Sequence, residues 1–336
     1  MIWMNLRKRQ EKLWIKFERV RFDMQEVITN GFQKATIYMK SNARPIEKAL
    51  FEFTFENGPK ERVLTELKRF QNEDGGFGHG IEPDFWLPLS SPMATWRAGQ
   101  ILVEIGADCN DELVQAMIDY LLNTFDKETG LWATVLPENN DYPHAPWWHW
   151  SEGVQDNWEF NPTAELAAFL VFWSDEGSEA AELGWATMLK AVEHVMAKEK
   201  MDKHQINNYQ RLVQLMVPFV GPFNEKMPYS LQTVREHVEN LAEQCMNKEV
   251  STWKGSYLPL PIDFINHPQH ALFEKYSSLV KANIELLLET MTDEGVWKIT
   301  WEWGSYPEQF KIAKEQWKGI LAIKHYQLLQ KFGYLK

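Results

Sequence analysis

Apolar residues recur along most of this chain at the spacing of a helix, and the alternation that is typical of strands is scarce. In residues 60–70 they stand at positions i, i+1, i+4 and i+7, which is one face of a helix. The same spacing recurs in residues 114–125, 192–196, 234–246 and 280–291. A long last helix near residues 308–331 is followed by Gly333, a typical helix stop. The pattern predicts an all-α protein.

An internal repeat becomes visible when the glycine and proline residues are aligned. In each copy a helix ends, a turn with a glycine and an aromatic residue follows, and an X-Pro step opens the next helix. The turns occupy residues 71–78, 129–132, 252–255 and 293–297, and the steps are Ser91-Pro92, Asn161-Pro162, His267-Pro268 and Tyr306-Pro307. Ser91 and Asn161 are favourable N-caps, and proline suits the first helical position because its missing N–H costs nothing there.

The repeat predicts stacked helix pairs, since each pair can bury its apolar face only against a neighbour. Residues 185–246 show helical spacing without a marked turn and residues 10–56 add further helix, so we expect roughly five or six pairs. A linear solenoid and a closed ring both satisfy this rule, and the long insertions favour a closed α/α toroid. No linker divides the chain, so we expect a single domain over 1–336, with N-terminal helices in 1–56 and repeat pairs in 57–333.

The most specific motif is QNEDGGFG at residues 71–78. It resembles the Q-x-x-DGGFG repeat of the terpenoid cyclase and protein prenyltransferase superfamily, and DEGVWKI at 293–299 resembles a weaker copy. The resemblance implies an α/α toroid in which this turn joins an outer helix to an inner one. The residues that carry over belong to the turn and are chiefly structural: Gln71, Asp74, Gly75, Gly76, Phe77 and Gly78.

The active-site motifs of that superfamily are missing. The D-x-D-D acid motif of squalene-type cyclases does not occur, and the zinc set of protein prenyltransferases needs Asp and Cys two residues apart, whereas Asp108 and Cys109 are adjacent. Nucleotide-binding loops and the common hydrolase motifs are also absent. No catalytic residue can be carried over from the family, and we expect neither a metal nor a cofactor.

Charge and composition exclude several classes of protein. Lys and Arg number 35 against 47 Asp and Glu, and the net charge of −12 disfavours binding to nucleic acid or to anionic membranes. Cys109 and Cys245 form no metal or redox motif, so we expect two free thiols. The first 20 residues lack the apolar core of a secretory signal, and no stretch is long enough to span a membrane, so we expect a cytoplasmic protein.

The loop after the first turn, HGIEPDFW, contains two carboxylates, Glu82 and Asp84. Two carboxylates on one loop can face the same cavity, and in a dry pocket one of them would have a raised pKa and could act as an acid. A solvated loop, or carboxylates that cap helices, is the alternative. His79 at the start of the loop is a candidate for ligand contact.

The loop after the second turn is rich in tryptophan, with Trp147, Trp148 and Trp150 in the string PWWHW. Indole faces stack on sugar rings, apolar chains or cations, so we consider a role in ligand binding. The alternative is a plug that packs against the helices. Asp156 and Glu159, just before the second X-Pro step, add carboxylates to this loop or cap the following helix.

The loop of the third copy contains Asp263 together with His267 and His270. An Asp and two His could run acid–base chemistry or bind a metal, although loop and cap roles are more common. His144 and His149 in the second loop share this metal possibility. We expect acid–base chemistry rather than a metal at Asp263.

The loop of the fourth copy reads WEW, with Trp301 and Trp303 on either side of Glu302. In an extended segment the two indoles share one face and the carboxylate takes the other. All four loops therefore contain acidic residues, and three contain Trp. If the toroid closes, these loops converge on one mouth.

These patterns suggest an enzyme, or a former enzyme, with a central cavity lined by Trp and carboxylates and a small-molecule ligand. The superfamily resemblance implies an isoprenoid-like substrate. Paired carboxylates with Trp platforms suit a small saccharide, as in glycosidases and lyases. A non-catalytic binding scaffold is the third possibility, and the sequence does not indicate the oligomeric state.

Overall fold

The computed structural model describes residues 24–335. The regular secondary structure of these residues is helical. They form isolated β-bridges but no strand. The prediction of an all-α protein is therefore confirmed for the described residues. The predictions that concern residues 1–23, including the absence of a secretory signal and the first N-terminal helical residues, lie outside them, as does Lys336.

The helices lie close to where the apolar spacing predicts them. In chain order they are α1 (24–42), α2 (Pro45–Glu56), α3 (Lys60–Leu67), α4 (Pro92–Glu104), α5 (Glu112–Thr124), α6 (Thr163–Trp173), α7 (Glu179–Met196), α8 (Lys203–Leu215), α9 (Val220–Lys226), α10 (Leu231–Cys245), α11 (Pro261–Phe264), α12 (Phe273–Glu289) and α13 (Pro307–Lys331). Gly333 follows α13 with φ 73°, in the left-handed region expected at a helix stop.

Two of the predicted X-Pro helix starts are confirmed. Pro92 is the first residue of α4, and the Ser91 hydroxyl accepts the backbone N–H of Ala94 at 3.1 Å, which is an N-cap. Pro307 likewise opens α13. In both places the proline supplies no N–H, and the first turn of a helix needs none.

The prediction that Asn161 caps α6 is wrong. The Asn161-Pro162 peptide bond is cis, and α6 begins one residue later than predicted, at Thr163. The Asn161 carbonyl accepts the Thr134 hydroxyl at 2.8 Å, so this residue is bonded to the preceding loop and its side chain caps nothing.

The prediction that a helix starts at His267-Pro268 is also wrong, because α12 begins at Phe273. The His267 ring accepts the N–H of Gln269 at 3.0 Å, and the His270 ring accepts that of Leu272 at 3.2 Å. These side chains stabilise successive turns in place of a continuous helix.

The first repeat turn is held by its own side chains. The Gln71 amide donates to the carbonyls of Gly75 and of Leu113, at the start of α5, at 2.9 and 3.0 Å. Asp74 accepts the Gly76 N–H at 3.0 Å and the Ser90 hydroxyl at 2.6 Å. Together these bonds tie the end of α3 to the start of α5. Phe77 and Gly78 are buried beneath the turn.

The first and fourth turns have the same backbone hydrogen bonds. In the first, Asn72 donates to Gly76 at 2.9 Å, and Gly75 donates to Asn72 at 3.0 Å. In the fourth, the equivalent bonds join Thr292 to Val296 at 2.8 Å and Gly295 to Thr292 at 2.9 Å. The weaker sequence copy therefore folds into the same local structure as the strong one.

Each of these turns presses a glycine against another helix. A Cβ on Gly75, where φ is 87°, would lie 2.0 Å from the Ala116 carbonyl oxygen in α5. A Cβ on Gly295, where φ is 76°, would lie 2.1 Å from the Gly31 carbonyl oxygen in α1. Only glycine fits such an approach. The turn before α13 thus packs against the first described helix as the turn before α4 packs against α5.

The two ends of the described chain are in contact. The rings of Phe32 in α1 and Tyr326 in α13 lie 5.0 Å apart, and α13 also packs along α2. Buried apolar side chains from Ile28 to Leu335 form a connected core. None of the described helices is long and apolar enough to cross a membrane. Both cysteines, Cys109 and Cys245, are free thiols, as expected.

Candidate functional site

The loop that carries Glu82 and Asp84 is fixed to the N-terminal helices by one arginine. Arg44, between α1 and α2, donates to the carbonyls of Gly80 and Ile81 at 2.8 and 3.2 Å. The same guanidinium binds both carboxylate oxygens of the buried Glu47, at 2.5 and 2.8 Å. The donors of Arg44 are thus largely satisfied, and they hold the loop backbone in place.

Asp84 accepts three indole N–H groups from the end of the chain. Its Oδ1 accepts those of Trp303 and Trp317 at 3.0 and 2.9 Å, and its Oδ2 accepts that of Trp301 at 3.0 Å. The side chain is buried. Burial raises the pKa of Asp84, and the three indole donors oppose that rise because they favour the charged carboxylate.

Glu82 lies two residues earlier, and its carboxyl accepts the backbone N–H of Asp84. Burial and then the Asp84 charge raise the pKa of Glu82 to about 8, against the opposing effect of the positive charges of Arg97 and Arg44. The residue nevertheless keeps part of its surface accessible. Glu82 is therefore a carboxyl whose pKa is raised into the range of neutral pH and part of whose surface is accessible.

A second buried carboxylate, Glu165, lies on α6. It accepts the Trp96 indole N–H at 2.5 Å, the Gln100 amide at 3.2 Å and the Asn208 amide at 3.3 Å, so α4 and α8 both bind it. Burial raises the pKa of Glu165 to about 6, and the charge of Arg211, 4.0 Å away, lowers it most among the opposing effects.

Aromatic side chains pack together beside Asp84. The Trp301 ring packs edge to face on Trp317 at 5.1 Å and on Tyr257 at 5.5 Å. Tyr257 is 51% exposed, and partial burial together with the charges of Asp263 and Asp84 raises its pKa. Tyr257 is therefore accessible and lies near acidic side chains.

We call the group formed by Glu82, Arg97, Tyr257, Trp301 and Trp317 the recess. Trp301 contacts Trp317 and Tyr257, and the charges of Glu82 and Asp84 act on Tyr257 as those of Arg97 and Glu82 act on each other, so these residues are neighbours. His204 on α8 lies beside it, with its Nε2 3.1 Å from the Tyr257 hydroxyl.

The recess brings together some of the residues predicted from sequence. Glu82, Asp84, Trp301 and Trp303 all meet there, with Trp303 fully buried behind Asp84. Glu302 points the other way and is exposed, as an extended segment requires.

The tryptophans of the second loop divide between packing and surface. Trp148 is buried, stacks on Trp158 with ring centroids 4.8 Å apart and contacts Phe85 at 5.0 Å. Trp147 is 38% exposed, and Trp150 is partly buried. The structure thus places Trp148 as a packing residue behind the Glu82 loop.

Several predicted residues lie apart from Glu82. Asp156 is exposed, and Glu159 is bonded to Lys198 at 2.5 Å and to His194 at 3.0 Å. Asp263 accepts the Leu260 N–H at 2.9 Å and lies 3.8 Å from the ammonium of Lys324, and it is near enough to Tyr257 for its charge to raise the pKa of that residue.

The predicted histidines have local partners. His79 is exposed, with its Nε2 2.8 Å from the Asn72 amide oxygen. The Nε2 atom of His144 lies 3.1 Å from Nδ1 of His149, and Nδ1 of His144 lies 2.6 Å from the Tyr142 carbonyl oxygen. No group of three or more His, Cys, Asp or Glu in residues 24–335 is arranged to hold a metal ion.

Sequence reasoning missed the polar residues on the helices next to the recess, which are Trp96, Arg97 and Gln100 on α4, Glu165 on α6 and Arg211 on α8. A signal was present for Glu165. It is the one charged residue in TAELAAFLVFW, and a lone carboxylate in an otherwise apolar helix requires buried partners. The others show no such signal, because charged residues on amphipathic helices usually face solvent.

The recess therefore combines a proton-bearing carboxyl, a guanidinium and an aromatic wall. Such a set can donate a proton, attract an anionic group and pack against a ring. Comparisons of the chain with protein-family models, with curated proteins and with solved structures give no match.

Proposed function

We propose that this chain is an α/α toroid whose recess carries out acid–base chemistry on a small saccharide, with Glu82 as the proton donor. The fold proposal is supported by the matching turns before α4 and α13 and by the contact between α13 and α1. In this arrangement α4, α6, α8 and α13 are inner helices, and the loops before them form the mouth. A non-catalytic scaffold is the alternative that the product analysis below tests.

The observation that carries the proposal is the environment of Glu82. A general acid is most effective when its pKa lies near the working pH, and the pKa of Glu82 is raised to about 8 in an accessible position. Protonated Glu82 can donate to a glycosidic oxygen as that bond breaks, which is the role of the acid in glycoside cleavage. In hydrolysis a water molecule then adds to the anomeric carbon, and the proton that this water loses restores the protonated state of Glu82 through solvent.

Asp84 has a different role in this proposal, as a positioning residue. Its two carboxylate oxygens already accept three indole N–H groups, and little of the side chain is exposed. By binding Trp301 and Trp317, Asp84 fixes the aromatic wall against which a sugar ring would stack.

The aromatic cluster favours one second candidate, an isoprenoid-like substrate. The edge-to-face contacts of Trp301 with Trp317 and Tyr257 present ring faces that could stabilise a carbocation. The acid disfavours it, because a carboxyl with a pKa near 8 is far too weak to protonate an alkene carbon at a useful rate.

The test is thermal unfolding of the purified chain with two panels of compounds, followed by product analysis of each compound that binds. One panel contains neutral and acidic oligosaccharides, and the other contains isoprenoid alcohols and diphosphates with and without Mg²⁺. A ligand at about a hundred times its Kd adds about 2.7 kcal/mol, which is a rise in Tm of a few degrees. We expect stabilisation and new reducing ends or unsaturated products with saccharides only. Isoprenoid cyclisation, or binding of either class without product, would contradict the proposal.

A further inference from the structure

Arg97 is the one arginine of the recess lining, and it lacks the partners that a shielded guanidinium normally has. Burial lowers its pKa, while Glu82 and other carboxylates raise it. Among the described residues, its one hydrogen bond is 3.4 Å long, to the Gln100 amide oxygen, and no carboxylate lies within 4.0 Å. Arg44, by contrast, binds both oxygens of Glu47 and two backbone carbonyls.

A second guanidinium faces the same side of the site. Arg211 on α8 is about half exposed, and its closest carboxylate oxygen, on Glu165, is 4.0 Å away. Gln100 connects the two cations, because its amide lies 3.4 Å from Arg97 and 3.2 Å from the same Glu165 carboxylate that Arg211 approaches. Glu165 is already bound by Trp96, Gln100 and Asn208, and neither arginine has a carboxylate oxygen closer than 4.0 Å among the described residues.

We propose that Arg97 and Arg211 form an anion subsite of the recess that binds the carboxylate of an acidic sugar. The saccharide part of this inference rests on the proposed function, whereas the anion subsite rests on the two arginines alone. A planar guanidinium with free N–H donors matches the two oxygens of a carboxylate. The sugar ring would then lie between this subsite and the Trp301–Trp317 wall, with Glu82 beside it.

The carboxyl groups near Arg97 do not supply the close counter-charge that its guanidinium lacks. The raised pKa of Glu82 weakens its negative charge beside Arg97 at neutral pH, and the other carboxylates that act on Arg97 lie beyond 4.0 Å among the described residues. Placing a cation in a shielded site without a hydrogen-bonded counter-charge costs stability, and an enzyme keeps such a residue when its ligand supplies the charge. A neutral sugar would leave both guanidinium groups as poorly paired as they are now.

The experiment uses matched pairs of monosaccharides that differ only in a carboxylate. Binding of glucuronate, galacturonate and mannuronate is measured by calorimetry at pH 7 beside glucose, galactose and mannose, with inorganic phosphate as a further anion. The variants are Arg97→Gln, Arg97→Lys and, as a control, Arg69→Gln, whose side chain is exposed and paired with Glu66. We expect at least one uronate to bind about tenfold or more tightly than its neutral partner.

Arg97→Gln should abolish that preference, Arg97→Lys should retain part of it, and Arg69→Gln should leave it unchanged. Arg97→Gln should also leave Tm unchanged or raise it, because it removes a poorly paired shielded charge. A large fall in Tm of both Arg97 variants would instead identify a structural arginine and overturn the proposal. Equal binding of uronates and hexoses, or tighter binding of phosphate than of every uronate, would overturn it as well.

Product analysis separates this inference from the proposed function. Uronate binding through Arg97 without cleavage of any uronate-containing disaccharide would support the subsite and contradict the enzyme. Cleavage of neutral disaccharides that is unaffected by Arg97→Gln would support the enzyme and contradict the subsite.

Discussion

The first and second repeat loops occupy equivalent places between a turn and the next helix, and each carries two acidic residues within the ten positions before that helix. Glu82 and Asp84 are the two of the first loop, and Asp156 and Glu159 are the last two of five in the second. In the first loop Glu82 is shielded and protonated at neutral pH, and Asp84 accepts three indole N–H groups. In the second loop Asp156 is exposed, and Glu159 has two cationic partners, His194 and Lys198. The same residue types therefore have opposite electrostatic environments.

The difference comes from what covers each loop. Residues from the second loop and from the end of the chain close over the first loop, since Ala145 donates to the Asp84 carbonyl at 2.8 Å and Trp301 and Trp303 to its carboxylate. Glu159 instead meets helix α7 and the residues just after it, which supply positive charge. Shielding without a counter-charge raises a carboxyl pKa, and close cations lower it.

The largest expected effect is on turnover of the proposed saccharide substrate. Glu82→Gln keeps the shape of the side chain and removes the acid, so we expect kcat to fall about a hundredfold or more. Glu159→Gln should change kcat by less than about twofold, because Glu159 pairs with His194 and Lys198 on the protein itself. The two variants are compared by their steady-state rates, and calorimetry measures whether each still binds the substrate. Equal losses would show that Glu82 has no special role.

The next effect is on stability, at Asp84. Asp84→Ala leaves three indole N–H groups without an acceptor, and we expect the free energy of unfolding to fall by about 3 kcal/mol. Asp84→Asn keeps one acceptor oxygen and should lose clearly less. Urea unfolding followed by circular dichroism measures both. A loss below about 0.5 kcal/mol for Asp84→Ala would mean that the indole bonds do not hold the wall.

The two glutamates should also give opposite dependences of stability on pH. The folded pKa of Glu82, about 8, exceeds its ordinary value of 4.5, so the folded state holds the extra proton between these values and stability falls as pH rises through that window. The slope for one proton is at most about 1.4 kcal/mol per pH unit. Glu82→Gln should remove this contribution.

Glu159 has the opposite sign. Burial would raise its pKa, but hydrogen bonds from Lys198 and His194 outweigh burial and lower it. Its contribution is therefore present above its ordinary pKa and is lost as pH falls through the lowered value. Glu159→Gln should flatten the acid side of the stability profile only. If the free energies of unfolding of the two Gln variants changed with pH in parallel between pH 3 and 9, the opposite pKa shifts of Glu82 and Glu159 would be contradicted.

The smallest effect is expected at Asp156. Its side chain is exposed, so Asp156→Asn should change stability by less than about 0.5 kcal/mol and leave turnover unchanged. Denaturation midpoints and rates of this variant provide the background against which the changes at Glu82 and Asp84 are judged. A loss comparable to that of Asp84→Asn would show that the second loop is not merely a surface loop.

Features set by neighbours in the chain could be predicted from the sequence. Features that depend on burial by distant parts of the chain could not. Helical spacing and glycine chemistry identify the helices and the turn at Gly75, because both are set by neighbours in the chain. The loop with Glu82 and Asp84 could be identified as a candidate site for the same reason, because its two carboxylates lie two positions apart in the chain. Which carboxylate is shielded depends on Trp317 and Arg97, and no local pattern indicates which residues of distant helices meet a given loop. The predicted helix start at Asn161-Pro162 is wrong by one residue, and the Asn161 carbonyl is bonded to Thr134, which is distant in the chain. The predicted start at His267 is wrong because its ring accepts a nearby backbone N–H in a turn.

The bonds of Asp84 also constrain the order in which the molecule assembles. Asp84 is separated from its three indole donors by 217, 219 and 233 positions in the chain. Contacts between such distant positions form later than local helices, since a large loop must close first. During synthesis the N-terminal part emerges first. We therefore expect the nascent chain to hold folded helices while Asp84 still lacks every partner, and the recess to take shape only after Trp317 has left the ribosome.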